Sequence, residues 1–254
     1  MTDHADVIRR EFTRQAPEFA APRSFFGDRE VAEWIGSHLP LAPNHTVLDV
    51  CGGAGHLSRR LADRARQFAV LDLTREILET GRRGADEDGV SNVLFVEGDA
   101  TAMPFVDGSF DLAVSRFAFH HLTEPEAVAR EMSRVVRPGG HVAIVDMVDG
   151  GHRHNELERL RDPSHTRALP EHELAALLED AGPAIVDRDE RLQPLAAEPW
   201  LTRAHTATPE AGAEVLAALR AELDGGEPTG LEAHELDGRL HVAQRWVLLV
   251  GSRP

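Results

Sequence analysis

A doubly wound α/β fold is what this 254-residue sequence predicts. Three features point there. Strand-like and helix-like segments alternate from residue 43 to residue 147. Three glycines, Gly52, Gly53 and Gly55, fall within four positions just after the first strand signal. Acidic residues stand at the ends of the first three strand signals, at Asp49, Asp72 and Asp99. Alternating units of this kind build a parallel sheet with helices on both faces.

Taken in order, residues 3–20 place Val7, Ile8, Phe12, Ala16 and Phe19 on one face of an amphipathic helix. Standing before the first strand, it is placed to fold over a site as a lid, with Phe25 and Phe26 in the link that follows. A second helix over 28–39 carries Val31, Trp34, Ile35 and Leu39, and Pro40 and Pro43 end it. The first strand runs through Val47, Leu48 and Asp49 into the glycine turn, and Leu57, Leu61 and Ala65 then recur at helical spacing. Further strands are expected at 68–72, 92–97, 110–115 and 141–147, with a helix over 74–83. Another helix is introduced by Thr123-Glu124-Pro125-Glu126, where Thr123 and Glu126 have the spacing of a capping box, and Pro138-Gly139-Gly140 ends it. Beyond it, helices are expected at 155–161, 171–180, 199–204 and 210–223, and strands at 184–191 and 240–250. Residues 206–240 hold eight acids against two arginines, which reads as a solvated face.

Composition narrows the function. With 42% hydrophobic residues and no apolar run of membrane-spanning length, a soluble chain with a sizeable core is expected. The opening Met-Thr-Asp-His-Ala-Asp lacks the basic and apolar regions of a secretory signal, and a single Cys51 suits a reducing compartment, so the cytoplasm is expected. A net charge of −16 disfavours nucleic-acid backbones. All 27 basic residues are Arg, which excludes a Schiff-base lysine and a Walker-type phosphate loop, and the absence of Tyr removes phenolic acid–base chemistry.

In open α/β sheets, ligands sit beyond the carboxyl ends of the strands. Those ends present Asp49 with the glycine turn, then Asp72, then Gly98-Asp99-Ala100, then Ser115-Arg116 followed by Phe117, Phe119, His120 and His121. Asp72 lies 17 positions after Gly55, where a carboxylate can accept from ribose hydroxyls. A dinucleotide fingerprint fits less well, because Ser58 occupies the position that wants Gly or Ala for close helix packing. His152-x-His154 with Asp146 and Asp149 matches no recognised metal spacing, and no metal is expected. Clustering of Phe12, Trp200 or Trp246 at a surface would indicate a partner, and an oligomer stays open.

The segments Val47-Leu48-Asp49-Val50-x-x-Gly53-x-Gly55, Asp72-Leu73-Thr74, Gly98-Asp99-Ala100-x-x-Met103-Pro104-Phe105, Ser109-Phe110-Asp111 and Arg134-Val135-Val136-Arg137-Pro138-Gly139-Gly140 resemble the class I S-adenosylmethionine-dependent methyltransferases. The likeness is to the small-molecule branch similar to quinone-biosynthesis methyltransferases, and it spans residues 47–147. It implies a Rossmann-like doubly wound seven-stranded sheet of order 3-2-1-4-5-7-6, strand seven antiparallel and formed by 240–250. It also implies an N-terminal helical lid over 1–42 and a methyltransferase domain over 43–254, with substrate-side helices and the last strands in 148–254.

Residue by residue, the resemblance implies that Gly53 and Gly55 pass under the methionine part of S-adenosylmethionine. Asp49 would orient the turn or the ammonium. Asp72 would bind the ribose and Leu73 pack beside the adenine, with Asp99 and the Ala100 N–H on the adenine edge. The backbone at Ser115 and Arg116 would face the methionine. Cys51 belongs to the same cofactor-binding set, although the family commonly has Gly there. The implied reaction is in-line displacement at the sulfonium methyl by a small-molecule acceptor through C, O or N. His120 and His121 are the candidate bases, with His165 and Arg161 near them. Phe12, Phe19, Phe117 and Phe119 could wall an aromatic acceptor. Competing readings are an RNA or protein methyltransferase, a nicotinamide oxidoreductase, and a repurposed member that binds the cofactor without transferring methyl.

Overall fold

The computed structural model describes residues 4–20, 28–203 and 208–254. Phe25 and Phe26, expected in the lid's link, lie outside them, as does Ala204 at the end of an expected helix. Helix α1 (His4–Ala20) and helix α2 (Arg29–His38) come first. Asp28 caps α2, its Oδ1 accepting from the Glu30 and Val31 N–H groups at 2.8 and 3.4 Å, which satisfies donors that have no partner inside the helix.

The sheet follows, with helices between most strands. In chain order come β1 (Thr46–Val50), α3 (His56–Arg60), β2 (Gln67–Asp72), α4 (Arg75–Glu87), β3 (Val93–Glu97) and β4 (Phe110–Arg116). After them come α5 (Pro125–Val135), β5 (Val136–Met147), α6 (His154–Arg161), α7 (Glu171–Asp180) and β6 (Ala184–Ala196). The chain closes with α8 (Ala197–Arg203), α9 (Pro209–Leu223), β7 (His234–Leu236) and β8 (Arg239–Ser252). Strand order is β3-β2-β1-β4-β5-β8-β6, with β7 pairing β8 beside that path. The first five strands run parallel, and β8 runs antiparallel to both β5 and β6.

This is the expected order with one strand added among the described residues. The addition, β7, pairs with the start of β8 across Asp237-Gly238, both in the left-handed region at φ 52° and 69°. That is the dipeptide a tight two-residue hairpin favours.

Period-2 alternation divides β1 between two cores. Leu48 and Val50 face Val128 and Met132 of α5 and Leu174 and Leu178 of α7. Val47 faces Val31 and Ile35 of α2, Leu57 of α3 and Leu78 of α4. A satellite core of Leu157, Trp200, Val215, Leu219 and Val242 joins α6, α8 and α9 to β8. Trp200 and Trp246 are each 1% exposed, so neither marks a surface for a partner.

Two local expectations are corrected. The capping box does not form: Glu124 is the N-cap of α5, with no side-chain cap bond. Pro125 fixes the first helical position, which leaves Glu126 one residue short of the place from which it could reach back. Nor does Pro138-Gly139-Gly140 end that helix. It stops at Val135 and the chain enters β5 directly, because Pro138 disfavours a helical Arg137.

Candidate active site

A cavity of about 350 Å³ lies beyond the carboxyl ends of the parallel strands, in the size range of small-ligand sites. Its roof is α1, through Ile8, Phe12, Gln15 and Phe19. Phe19 stacks on His56 at 6.2 Å between ring centroids, and Phe12 meets His121 edge-on at 5.2 Å.

At one end is the glycine turn. Gly53 (φ 57°) donates its N–H to Asp72 Oδ2 at 3.0 Å, and Thr74 N–H donates to Asp72 Oδ1 at 2.9 Å. Each Asp72 oxygen therefore holds one backbone donor and keeps acceptor capacity. Burial raises its pKa, against the pull of these N–H groups. Gly55 (φ 64°) begins α3, and a Cβ there would stand 2.9 Å from Phe95 Cε1 and 3.0 Å from Val70 Cγ2. Gly55 is thus required by packing and is not on the cavity wall. Cys51 sits at φ 54°, a conformation side chains disfavour. Burial, then the Asp72 and Asp49 charges, push its thiol pKa up, so it is a neutral thiol and not a nucleophile.

Asp49 is 1% exposed and lines the cavity. Its Oδ2 accepts from Ser58 Oγ at 2.6 Å, while Oδ1 is buried without a partner. Burial lifts its pKa to about 6, although Ser58 and Arg116 both oppose the rise. His56, a wall residue the sequence reading passed over, also has a buried, unpartnered Nε2. Burial, then Arg116, lowers its pKa to about 4. Leu73, Asp99, Ala100 and Arg116 line this cavity as well. Asp99 commits Oδ1 to Thr101, accepting from its N–H at 2.8 Å and its hydroxyl at 2.7 Å. Ser115 is buried but not on the wall, since alternation along β4 turns it away from its neighbour Arg116.

The other end holds the histidines. His120 Nδ1 stands 2.5 Å from Asp146 Oδ1, and Asp146 also accepts from the backbone N–H of His120 (3.2 Å) and Met147 (2.7 Å). Burial works against the charged ring, but the charge and hydrogen bond of Asp146 outweigh it, so His120 titrates above its ordinary value. With Nδ1–H held by a carboxylate, the basic nitrogen is Nε2. His121 is different. Its Nδ1 faces Ser164 Oγ at 3.1 Å, that hydroxyl donates to Asp162 Oδ1, and burial followed by His120 lowers its pKa to about 4.

His165 does not reach the cavity. It packs behind His120, 5.5 Å between ring centroids, with Nε2 2.8 Å from Asn155 Oδ1, and burial brings its pKa to about 2. Phe12, Phe19 and Phe117 line the cavity, whereas Phe119 is core. Sequence reading missed Asp146 as the partner of His120, and Trp200, Gln244 and Trp246 as walls. The sequence singles out Asp146 only as one of four groups weighed for a metal, not as a partner of His120. His154, weighed as a metal ligand, accepts from Gly150 N–H at 2.7 Å, and Asp146 is occupied by His120. Among the described residues no three His, Cys, Asp or Glu side chains converge as a metal site.

A doubly wound sheet with an antiparallel strand inserted beside β5, and a cavity beyond the glycine turn at its carboxyl edge, defines the Rossmann-like methyltransferase topology. Residues 47–140 match a family described as a methyltransferase domain. The uncharacterized methyltransferase YcgJ of Bacillus subtilis is 34% identical over 169 residues, which is 64% of this chain and 66% of YcgJ. Its crystal structure superposes with a TM-score of 0.80, covering 89% of this chain and 99% of that one at 25% identity. The uncharacterized protein YafE of Escherichia coli is 30% identical over 59% of this chain and 74% of its own. The ubiquinone/menaquinone biosynthesis C-methyltransferase UbiE of Ruegeria sp. is 38% identical over 41% of this chain, and the match spans 43% of its length. The chain belongs to the S-adenosylmethionine-dependent methyltransferases.

Proposed function

We propose that this protein transfers the methyl group of S-adenosylmethionine to a small-molecule acceptor whose reacting atom must first lose a proton. The observation that carries the reading is one cavity with two differently equipped ends. The cofactor fits the first end: Asp49 Oδ1 and His56 Nε2 are buried polar atoms without partners, of a kind that native proteins rarely leave unmatched. Asp49 would take the ammonium, Asp72 the ribose, and Leu73, Asp99 and Ala100 the adenine. When bound, the sulfonium supplies a methyl group on an already activated leaving group.

The protein's own contribution is alignment, exclusion of water by α1, and removal of a proton. His120 accepts that proton on Nε2, and Asp146 stabilises the imidazolium that results. His120 is preferred over His121 because a carboxylate supports its charged form, while His121 lies beside a titrating neighbour that opposes its own. Phe12, Phe117, Trp200 and Trp246 on the wall suit a flat ring. No helix among the described residues is long and apolar enough to cross a membrane.

The test is methyl transfer from labelled S-adenosylmethionine across phenols, enols and tertiary amines, read by mass spectrometry. Product from the proton-bearing acceptors supports the proposal. Turnover confined to tertiary amines, which have no proton to lose, would contradict it.

A further inference from the structure

Among the described residues, some of the buried side-chain polar atoms without a hydrogen-bond partner belong to the cavity and others lie elsewhere in the fold. Four belong to residues on its wall: Gln15 Nε2, Asp49 Oδ1, His56 Nε2 and Trp200 Nε1. The first three stand on α1 and around the glycine turn. Trp200 stands apart from them, on α8. Its indole N–H can only donate, it is 1% exposed, and nothing among the described residues accepts from it.

Its neighbours are already committed. The Arg161 guanidinium lies 5.0 Å from the Trp200 ring and is anchored by Nε on Glu158 Oε2 at 2.7 Å. Glu158 is fully buried, and its other oxygen accepts from Gln244 Nε2 at 2.7 Å. Gln244 Oε1 in turn accepts from Trp246 Nε1 at 3.4 Å. Glu158 and Gln244 already hold donors within the wall, so no uncommitted partner for Trp200 stands among these groups, and whatever completes its N–H is an acceptor. The charges nearby decide which kind. Glu124 and Asp162 line the same cavity, and Glu158 stands directly behind Arg161. The Arg161 guanidinium beside Trp200 is already ion-paired with Glu158, so it favours an oxygen that gains partial negative charge during reaction over a ligand that arrives as a full anion among these carboxylates.

We propose that the Trp200 N–H, beside Arg161, receives a carbonyl oxygen of the methyl acceptor, conjugated to the atom that gives its proton to His120. This deepens the function proposed above and rests on it. As the acceptor's O–H or C–H bond breaks, the proton goes to His120 Nε2 and the electron pair delocalises towards the carbonyl oxygen. There the indole N–H and the guanidinium charge meet it, as donors aimed at developing negative charge do in acyl-transfer sites. The nucleophilic atom then bonds to the methyl carbon of S-adenosylmethionine, and the carbon–sulfur pair stays on sulfur as a neutral thioether. The acceptor class is thus a hydroxyaryl ketone, a vinylogous acid or an enolisable ketone.

The test uses the full chain saturated with S-adenosylhomocysteine and two probes, 4-hydroxyacetophenone and 4-ethylphenol. They share ring and phenol and differ in one carbonyl. Calorimetry is expected to give about tenfold tighter binding of the ketone, the scale of one buried hydrogen bond gained. The Trp200→Phe variant is expected to bring the two probes level and to leave S-adenosylhomocysteine affinity unchanged. A second readout needs no stable variant under titration. The chain has three Trp, and the indole N–H signal that disappears in Trp200→Phe should move in the wild type with the ketone and not with ethylphenol. Equal affinities, no binding of either probe, or an unmoved Trp200 signal would overturn the proposal and leave the methyltransferase reading standing. Failure of the wild type to bind S-adenosylhomocysteine would bring down both.

Discussion

Replacing Asp49 with Asn separates what this residue does for stability from what it does for binding. The side chain is buried beside Arg116, and its pKa of about 6 stands above the model-peptide value of 3.8. The folded state therefore holds a proton more tightly than the unfolded chain. Stability from this group is complete below about pH 4 and declines as pH rises to about 6, beyond which the ionised form persists at a cost. A rise of about two pKa units corresponds to roughly 3 kcal/mol. Asparagine removes that cost, and its amide oxygen can still accept from Ser58 Oγ. For a chain of this size the gain is on the order of 5–10 °C in melting temperature at pH 7. It should shrink to nothing near pH 4, where Asp49 is protonated anyway. The assay is calorimetric melting of both proteins from pH 4 to pH 8. S-adenosylmethionine affinity should fall in the same variant, because the unpartnered Oδ1 loses its charge. A melting difference that stays constant across this pH range, or a variant that melts lower at pH 7, would refute the reasoning.

Two further outcomes follow from the same geometry. Asp146→Asn should lower kcat by roughly 10²- to 10⁴-fold, the usual worth of general base catalysis, with S-adenosylhomocysteine affinity unchanged. In the wild type, activity should be lost as pH falls through the raised pKa of His120, and in the variant that limb should move to lower pH; an unmoved limb would assign the proton transfer elsewhere. Cys51→Gly should stabilise the protein by on the order of 1 kcal/mol, since glycine carries no steric penalty in the left-handed region, read as a higher urea midpoint at constant slope.

Much of the fold is legible in the sequence because its signals are local and repeated. The strand from Val47 and the helices over α1 and α4 announce themselves by period and punctuation. The boundaries of α5 did not, because Thr123 and Glu126 satisfy the capping pattern while Pro125 shifts the register beneath it. Strand β7 escaped because three residues are too few to carry a period, although Asp237-Gly238 was a visible hairpin sign. The end of the cavity at the glycine turn is legible for a related reason: its groups come from successive strand ends in fixed order. The other end assembles His120 with Asp146, 26 positions apart, and Trp200 with Arg161 from separate helices. No spacing rule links such pairs. His165 illustrates the limit, since one layer of packing puts it behind His120 rather than beside the cavity.

Titration calorimetry of S-adenosylmethionine against the wild type, Asp72→Ala and Gly53→Val addresses the cofactor site most directly. Saturable one-to-one binding is predicted for the wild type, with each variant, confirmed folded by its melt, weaker by at least about tenfold. Undiminished affinity in both folded variants would show that the nucleoside is held somewhere other than between the glycine turn and the second strand.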